Sequence, residues 1–336
     1  MSQIGQVDCG YLAMVQGQMD VLWTDPIANI DLIADVETAK AVLANQRVDF
    51  SDITGKKKRT LSIEWLQKCA IDTDDCTDDC DIDGDDVEPQ CKEYEIDCLQ
   101  ESSFKVADRV YRERTIDKGT AIAKNMLLHM KALDEWVAQY ITAQILANAG
   151  TNQYTGSIGN VVGALTTIAA QYWDDQIWGY LNRVIRGNKF KSPYLLTGDN
   201  LYQLLFNRPF ETGTAADKGG LRKIGSIANI YVDPENIELI APGYSFLVHK
   251  TAAAFVSKAW YPVGMLNAEV KKGGEYLLWS EPSRNIPGIF YDVMRQEACD
   301  SNDFTEAYKI QLHGLFAMNP FPCEDEITGI LAFECE

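Results

Sequence analysis

The chain has 336 residues, of which 46% are hydrophobic and 24% are charged, and its formal net charge is −19 at pH 7. Such a chain buries a sizeable core, as one large domain or as two to three subdomains. The acidic excess argues against sequence-specific nucleic-acid binding through a basic face, and the lack of eighteen consecutive apolar residues argues against a transmembrane helix.

The acidic charge is concentrated in residues 72–97, which contain ten Asp, three Glu and one Lys. The start of the chain lacks a basic segment and a continuous apolar core, so we expect no secretory signal. There are nine cysteines. An odd count without a signal predicts mostly reduced thiols in the cytosol.

The first part of the chain, residues 1–55, is predicted to form an arm with short helices. Its first twenty residues are rich in Gly and Gln and show no strong period, so we expect an extended, partly ordered segment. Pro26 opens an apolar run at residues 27–33. The sequence VETAKAVLAN, residues 36–45, predicts a short helix.

A long hairpin with an acidic, cysteine-bearing tip is predicted next. Basic residues 56–59 precede a first strand at residues 60–66. The second strand is expected beyond the acidic stretch, where Phe104, Val106 and Val110 give a strand-like pattern. The hairpin leads directly into the longest predicted element.

Residues 117–150 predict one long helix, because no proline interrupts them and apolar residues recur at steps of three and four. The apolar positions are Ile122, Met126, Met130, Leu133, Val137, Tyr140, Ile141 and Ile145. Asp117 and Thr120 are candidate N-caps, and Gly150 is placed as a left-handed C-cap. At ~1.5 Å per residue, the helix is roughly 45 Å long and crosses the whole molecule. Such a rod is ordinary in a building block and unusual in a small-molecule enzyme.

The remainder alternates between short helices and strands. A helix is predicted at residues 173–186, with Ile177, Leu181, Val184 and Ile185 facing inward. Further helices are predicted at residues 199–206 and 251–259, and a polar, Gly-rich loop at residues 210–220. Strands are predicted at residues 193–197, 230–232, 245–249, 276–279, 290–294 and 304–318, and residues 327–334 close the chain. The fold class is α+β, with antiparallel or mixed sheets.

This order of elements resembles the major capsid proteins of tailed bacteriophages, which have the Hong Kong 97-type capsid fold. FKVADRVYRERTID, residues 104–117, looks like the descending edge of the extended loop of that family. Residues 119–150 look like its spine helix, and KSPYLLTGDNLYQLL, residues 191–205, looks like its axial-domain pattern. The acidic, cysteine-rich insertion is similar to capsid proteins from phages of Bacteroidetes hosts.

The resemblance implies an organisation in five parts. These are an N-terminal arm (1–55), an extended loop (56–116), a peripheral domain with the spine helix (117–190), an axial domain (191–290) and a return to the peripheral domain (291–336).

It also implies a structural function. The chain is expected to self-assemble as hexamers and pentamers into an icosahedral shell, with the extended loop over a neighbouring subunit and the arm along another. Portal, scaffolding and auxiliary capsid proteins are implied as further partners, and the packaged DNA is enclosed without sequence-specific contact. The implied location is the virion capsid, assembled in the host cytoplasm, with no membrane involved.

One segment of the acidic stretch is a calcium candidate. Asp79, Asp81, Asp83 and Gly84 match the start of an EF-hand loop. Position twelve is Gln90 instead of Glu, and no amphipathic helices flank the loop. We therefore favour a solvated acidic tip and no cofactor, and calcium stays open as the alternative.

The spacing of the cysteines gives only a weak zinc signal. Cys76 and Cys80 form a tight pair, but Cys91 and Cys98 do not, whereas structural zinc sites have two such pairs. A disulfide across the hairpin in a mature particle is the alternative to free thiols.

No catalytic motif stands out. His129, on the long helix, is predicted to be a packing or interface residue, and no Ser-His-Asp order or P-loop is present. We therefore expect a structural protein and no enzyme. The alternative is a soluble calcium-binding or adhesive interaction protein that uses the acidic loop, which would be a monomer or dimer stabilised by calcium.

Overall fold

One unbroken helix, α4 (Lys118–Ala147), is the longest element of the structure, a computed structural model. The Asp117 side chain caps it by accepting a hydrogen bond from the backbone N–H of Thr120. The predicted helix is confirmed, but the predicted Gly150 cap is wrong. The helix ends at Ala147, and the Gly150 N–H instead donates to the carbonyl oxygen of Ile330 at 2.8 Å, which ties this end to the last strand.

The structure describes residues 4–46, 60–66, 89–111, 117–154, 156, 158–173, 176–199, 201, 226–265, 267–271, 274–300, 303–318 and 328–335. The other helices are α1 (Ile4–Thr24), α2 (Glu37–Asn45), α3 (Asp108–Tyr111), α5 (Gln176–Gly187) and α6 (Pro234–Ile240), with short 3-10 helices at Ile30–Leu32 and Ala170–Tyr172. Among these residues no helix has the length and hydropathy needed to span a bilayer.

The strands form two six-stranded sheets and a separate two-stranded ribbon. The ribbon consists of β1 (Thr60–Leu66) and β2 (Pro89–Glu95). The remaining strands are β3 (Asp97–Ala107), β4 (Gly159–Val162), β5 (Leu165–Ile168), β6 (Tyr194–Thr197), β7 (Asn229–Val232), β8 (Tyr244–Val248), β9 (Ala253–Ser257), β10 (Asn267–Lys271), β11 (Gly274–Pro282), β12 (Phe290–Asp300), β13 (Asp303–Met318) and β14 (Ile330–Cys335).

The first sheet is antiparallel, in the order β10-β11-β12-β13-β3, with β9 also paired to β13. The second sheet has the order β4-β5-β14-β8-β6-β7 and is mixed, because β14 with β5 and β6 with β7 run parallel. The strand at the end of the chain therefore lies inside this sheet. The α+β class with antiparallel and mixed sheets is confirmed.

The buried face of α4 is the centre of the largest hydrophobic core. Ile122, Met126, Val137, Ile141 and Ile145 are each no more than 1% exposed. They pack in one cluster with residues from α1, α2 and both large sheets. The amphipathic helix α5 covers the second sheet in a separate cluster, and its four predicted inward residues are all buried. Helix periodicity alone therefore identified the faces that form the core.

The start of the chain differs from the prediction, because residues 4–24 form α1 instead of an extended segment. Leu12, Val15 and Met19 are buried against α4, at the three- and four-residue steps of one helix face. Packing against another helix stabilises this otherwise Gly- and Gln-rich segment. The prediction of a helix at residues 36–45 is confirmed by α2.

The predicted helix at residues 251–259 is wrong. This segment contains the strand β9, which pairs with the end of β13. Phe255 and Val256 favour strands, and both are buried in the sheet. The tertiary pairing outweighs the helix propensity of the three preceding alanines.

The hairpin prediction is right in its first strand and wrong in its second. β1 pairs with residues 89–95, with Thr60 opposite Glu95 and Leu66 opposite Pro89. The segment around Phe104 forms β3, which pairs with β13 in the first sheet. The predicted strands at residues 193–197, 230–232, 245–249, 276–279, 290–294 and 304–318 are confirmed with small changes of boundary. Residues 202–225, which contain most of one predicted helix and a loop, lie outside the described residues.

Candidate functional site

The described residues contain no arrangement typical of a catalytic centre. No group of three or more His, Cys, Asp and Glu within them could hold a metal ion. A cavity of about 100 Å³ lies beside α3 and is lined in part by Asp108, Lys118 and Glu306. That volume is smaller than the ~300 Å³ from which small-molecule sites begin.

The histidines take part in packing. His129 on α4 lies 2.6 Å from the Ser102 hydroxyl and stacks on Phe104, and burial lowers its pKa. His313 bonds Asp292 through Nδ1 at 2.9 Å. The Ser280 hydroxyl also bonds Asp292 and not the imidazole, so this Ser, Asp and His lack the order that activates a nucleophile.

The predicted calcium candidates Asp79, Asp81 and Asp83 lie outside the described residues, as do Cys76 and Cys80. Cys91 falls within β2, and Cys98 is an exposed free thiol at the start of β3. The calcium and cysteine predictions therefore stay predictions.

Among the described residues, the ribbon formed by β1 and β2 contacts the rest of the chain at its base. The Tyr94 hydroxyl donates to the carbonyl oxygen of Met318 at 2.9 Å, and Ile96 packs with Ala254 and Val256. Because residues alternate between the faces of a strand, positions 61, 63 and 65 share one face with Tyr94. In sequence these positions are Leu, Ile and Trp.

The opposite face contains positions 60, 62, 64 and 66 of β1, which are Thr, Ser, Glu and Leu in sequence, together with the exposed Glu93 and Glu95. An isolated two-stranded ribbon is at best marginally stable in water, and it becomes stable when a third strand or another surface covers its apolar face. The ribbon is therefore a candidate contact element.

A network of charges ties the start of α4 to α1 and to the first sheet. Glu306 on β13 accepts from Arg295 Nε at 2.9 Å and from the Tyr11 hydroxyl at 3.1 Å. It also contacts Lys118 and the Tyr308 hydroxyl. Burial alone would raise the pKa of Glu306, but the hydrogen bonds from Arg295, Lys118 and Tyr308 outweigh it and lower the pKa to about 2.

A second polar centre lies beneath the middle of α4. The Asp134 carboxylate accepts from the hydroxyls of Ser283 at 2.7 Å and Tyr291 at 2.5 Å, and from Asn285 Nδ2 at 3.0 Å. Burial raises its pKa to about 6, although these three hydrogen bonds oppose the rise. Asn285 also accepts from the Ala34 N–H, so this centre holds the arm against α4.

Four aliphatic side chains of the arm are exposed, and we term them the aliphatic ridge: Val21, Ile27, Ile30 and Ile33. Their exposed fractions are 67, 83, 67 and 56%. Large apolar side chains exposed in a row mark an interaction surface more often than isolated ones do. The sequence showed the apolar run at residues 27–33, but only the structure shows which of these side chains are left uncovered.

Comparisons with known proteins agree with this geometry at the level of the fold. No protein-family model matches the sequence, and no curated protein matches it. The Cyanophage A-1(L) capsid asymmetric unit matches with a TM-score of 0.54 at 11% identity, over 91% of this chain and 95% of that one. The capsid structure of the Cyanophage P-SCSP1u matches with 0.46 at 12% identity, over 87% and 88%. The Cyanophage Pam1 capsid asymmetric unit matches with 0.47 at 12% identity, over 85% and 87%.

The chain therefore has the fold of a phage capsid subunit, the Hong Kong 97-type fold. The predicted resemblance in fold is confirmed. The similarity to phages of Bacteroidetes hosts stays a prediction.

Proposed function

We propose that the protein is the structural subunit of a tailed-phage capsid, and that it self-assembles as hexamers and pentamers into an icosahedral shell. The likeness to the Cyanophage A-1(L) capsid subunit extends over nearly the whole of both chains, which supports a function that uses the entire fold. A role in one local site would need only part of it.

The ribbon is the observation that carries this proposal. Its described contacts with the rest of the chain are at its base, through Tyr94 and Ile96, and one of its faces has Leu, Ile and Trp in sequence at alternate positions of β1. A ribbon of this kind is stabilised when a neighbouring molecule covers that face. In a closed shell every copy has such a neighbour, so one contact repeated by symmetry stabilises all the ribbons.

The shell encloses packaged DNA without reading its sequence. The net charge of −19 makes a strong attraction to phosphates unfavourable, which suits a container that has to leave its contents free to exit. The protein acts without enzymatic activity, is assembled in the host cytoplasm and resides in the virion capsid. Portal, scaffolding and auxiliary capsid proteins are its further partners.

Sedimentation and negative-stain imaging of the purified full chain test the proposal. We expect hexamers, pentamers or shell-like particles from the wild type. In a variant with residues 61–93 replaced by a Gly-Ser linker, Tyr94 and Ile96 still anchor the base, so the fold should persist by circular dichroism while the particles are lost. A wild-type chain that stays monomeric at every salt concentration and under crowding would refute the proposal.

The alternative function, calcium binding by the acidic loop, requires a separate test. We predict that millimolar calcium leaves the Tm of both the wild type and the triple variant D79N/D81N/D83N unchanged, because a hydrated acidic tip gains little from one cation. Differential scanning calorimetry measures this. A calcium-dependent rise in Tm for the wild type alone would favour the calcium-binding alternative.

A further inference from the structure

The outward face of helix α5 and the turn after it carry a group of basic side chains, which we term the basic patch: Arg183, Arg186, Lys189 and Lys191. All four residues are exposed. In sequence, residues 176–198 contain these four basic residues and no Asp or Glu. Arg183 and Arg186 are three residues apart in α5, so their side chains are neighbours on the helix surface. Four positive charges are thus clustered in a chain whose net charge is −19.

The turn that carries the two lysines is held by its own contacts. Phe190, which lies between them, is 6% exposed and packs in the hydrophobic cluster beneath α5. Its N–H donates to the carbonyl oxygen of Ile185 at 2.9 Å. Lys189 has a left-handed backbone, with a φ of 56°, which turns the chain away from the end of the helix. Because Phe190 is fixed in the core, the lysines on either side of it are held at the surface.

The basic patch is not neutralised within the described part of the chain. Its side chains form no ion pair there, whereas Lys131 and Arg295 pair with carboxylates. Basic residues in the last turn of a helix also offset the helix dipole. That effect accounts for Arg186, but it does not account for Arg183 one turn earlier or for Lys191 beyond the helix. The clustering therefore points to an anionic partner.

The rest of the outward face of α5 is flat. Its exposed residues before Arg183 are Gln176 and Gly179, at helical steps of three and four. Gly destabilises a helix relative to Ala, and no atom lies within 4 Å of a Cβ added at Gly179, so packing does not require a Gly here. A residue without a side chain lets an extended partner approach the helix backbone closely.

The phosphate backbone of double-stranded DNA fits this surface. Arg and Lys side chains supply many of the contacts to phosphate oxygens, and these contacts carry no sequence information. An acidic protein partner would fit less well, because the centres of protein interfaces are poor in charged residues and rich in apolar ones. The outward face of α5 has no exposed large apolar side chain. Charge is therefore what this face offers.

We propose that the basic patch contacts the phosphate backbone of the packaged DNA, and that the outward face of α5 lies on the inner side of the shell. This inference rests on the proposed function and specifies where the enclosed DNA approaches the subunit. The acidic net charge of the chain opposes strong binding. A few phosphate contacts on each subunit are readily reversed by salt, which is compatible with a container that releases its contents.

Fluorescence anisotropy of a labelled duplex of about 20 base pairs tests the contact, with unassembled full-length subunits as the titrant. If four side chains each neutralise one phosphate, the logarithm of the association constant falls with the logarithm of the salt concentration at a slope of about −3.6. Affinity then drops about fifty-fold between about 50 and 150 mM NaCl. In the variant R183Q/R186Q/K189Q the slope should shrink to about −1, and affinity should drop only about threefold over the same range.

The matched control is K105Q/R109Q/K124Q, which removes the same charge from exposed residues of β3, α3 and α4. It should keep the slope of the wild type. The Tm of each variant, measured alongside, shows that both are folded. Equal slopes in the two variants at unchanged Tm would refute the phosphate contact.

Photo-cross-linking in particles that contain DNA tests the orientation of α5. A benzoylphenylalanine at position 179 should form an adduct with the DNA. The same residue at Leu239 should not, because Leu239 is 63% exposed on α6, which packs in the cluster around α4 and not in the cluster beneath α5. A DNA adduct at position 239 and none at position 179 would overturn the orientation.

Two further results would overturn the inference while leaving the proposed function intact. One is a wild type that does not bind the duplex at about 50 mM salt, where phosphate contacts are strong. The other is tighter binding to polyglutamate than to the duplex, which would indicate an acidic protein partner. Assembly is scored separately, since both triple variants should form particles as the wild type does. Absence of particles from the wild type would instead remove the proposed function, and packaged DNA as the partner with it.

Discussion

Substitution of Glu306 by Gln tests whether the charge network at the start of α4 stabilises the fold. The Glu306 side chain is 10% exposed and bonds Arg295 and Lys118, among others. Its pKa falls from 4.5 to about 2 in the folded chain. Each pKa unit corresponds to ~1.36 kcal/mol. The ionised carboxylate therefore contributes about 3 kcal/mol to the free energy of unfolding at neutral pH. Removing one partner of a buried ion pair costs about 3 to 5 kcal/mol, which agrees with this value.

The stabilisation by Glu306 depends on pH in a definite direction. Because the folded pKa is lowered, the stabilisation is complete above the unfolded pKa of 4.5 and is lost as the pH falls towards 2. Between pH 7 and pH 3 the difference between the wild type and E306Q should shrink from about 3 to about 1.5 kcal/mol. For a chain of this length, the loss at neutral pH lowers the Tm by about 4 °C.

Urea denaturation of unassembled subunits at pH 7 and pH 3 measures both effects. Glu297→Gln is the matched control, since Glu297 pairs with the same Arg295 but its side chain is 65% exposed. Exposed ion pairs contribute about 0 to 1 kcal/mol, so this variant should stay close to the wild type. If E306Q and E297Q have equal urea midpoints at pH 7, the Glu306 network does not stabilise the fold.

Two further substitutions test buried positions. Burial raises the pKa of Asp134 from 3.8 to about 6, so stability should fall as the pH rises from about 4 to about 6. Asp134→Asn should lose that pH dependence, because an amide does not titrate, and a variant whose Tm keeps the dependence across this range would contradict this assignment. A Cβ on Gly314 would lie 2.5 Å from the Val256 carbonyl oxygen, so Gly314→Ala should cost about 1 to 3 kcal/mol in urea denaturation. The control Gly179→Ala, in helix α5 with no atom within 4 Å of the new Cβ, should stabilise by about 0.5 to 1 kcal/mol, and equal effects would refute the steric argument.

The elements that sequence analysis predicts well are those whose pattern extends over many residues. The repeat of apolar positions along α4 covers eight turns, and buried and partly exposed positions alternate along β13 from Thr305 to Gly314. In both, the period identifies the buried face without knowledge of what covers it. The N-cap at Asp117 is equally local, because its bond to the Thr120 N–H joins residues three apart.

The segments whose structure the sequence did not predict have partners that are distant in the chain. Helix α1 depends on contact between Met19 and the core around α4, and the spacing of Leu12, Val15 and Met19 was the available signal for it. The strand β9 depends on pairing between residues near 255 and residues near 316. The aliphatic ridge is a further example. The sequence shows an apolar run at residues 27–33, but it does not show that Leu32 is buried and that Ile30 is exposed.

By itself, the amino-acid sequence determined the long helix, most of the strands, the first strand of the ribbon and the resemblance to a capsid fold. The helix and the strands depend on residue type and on a period repeated along one segment, whereas the resemblance rests on the order of the elements along the chain. Only the tertiary structure decided that β2 is the ribbon's partner, that β3 belongs to the first sheet, and that an aliphatic ridge is left uncovered. These features depend on which of several distant segments a strand or helix contacts. Packing and hydrogen bonding across the whole chain determine that choice.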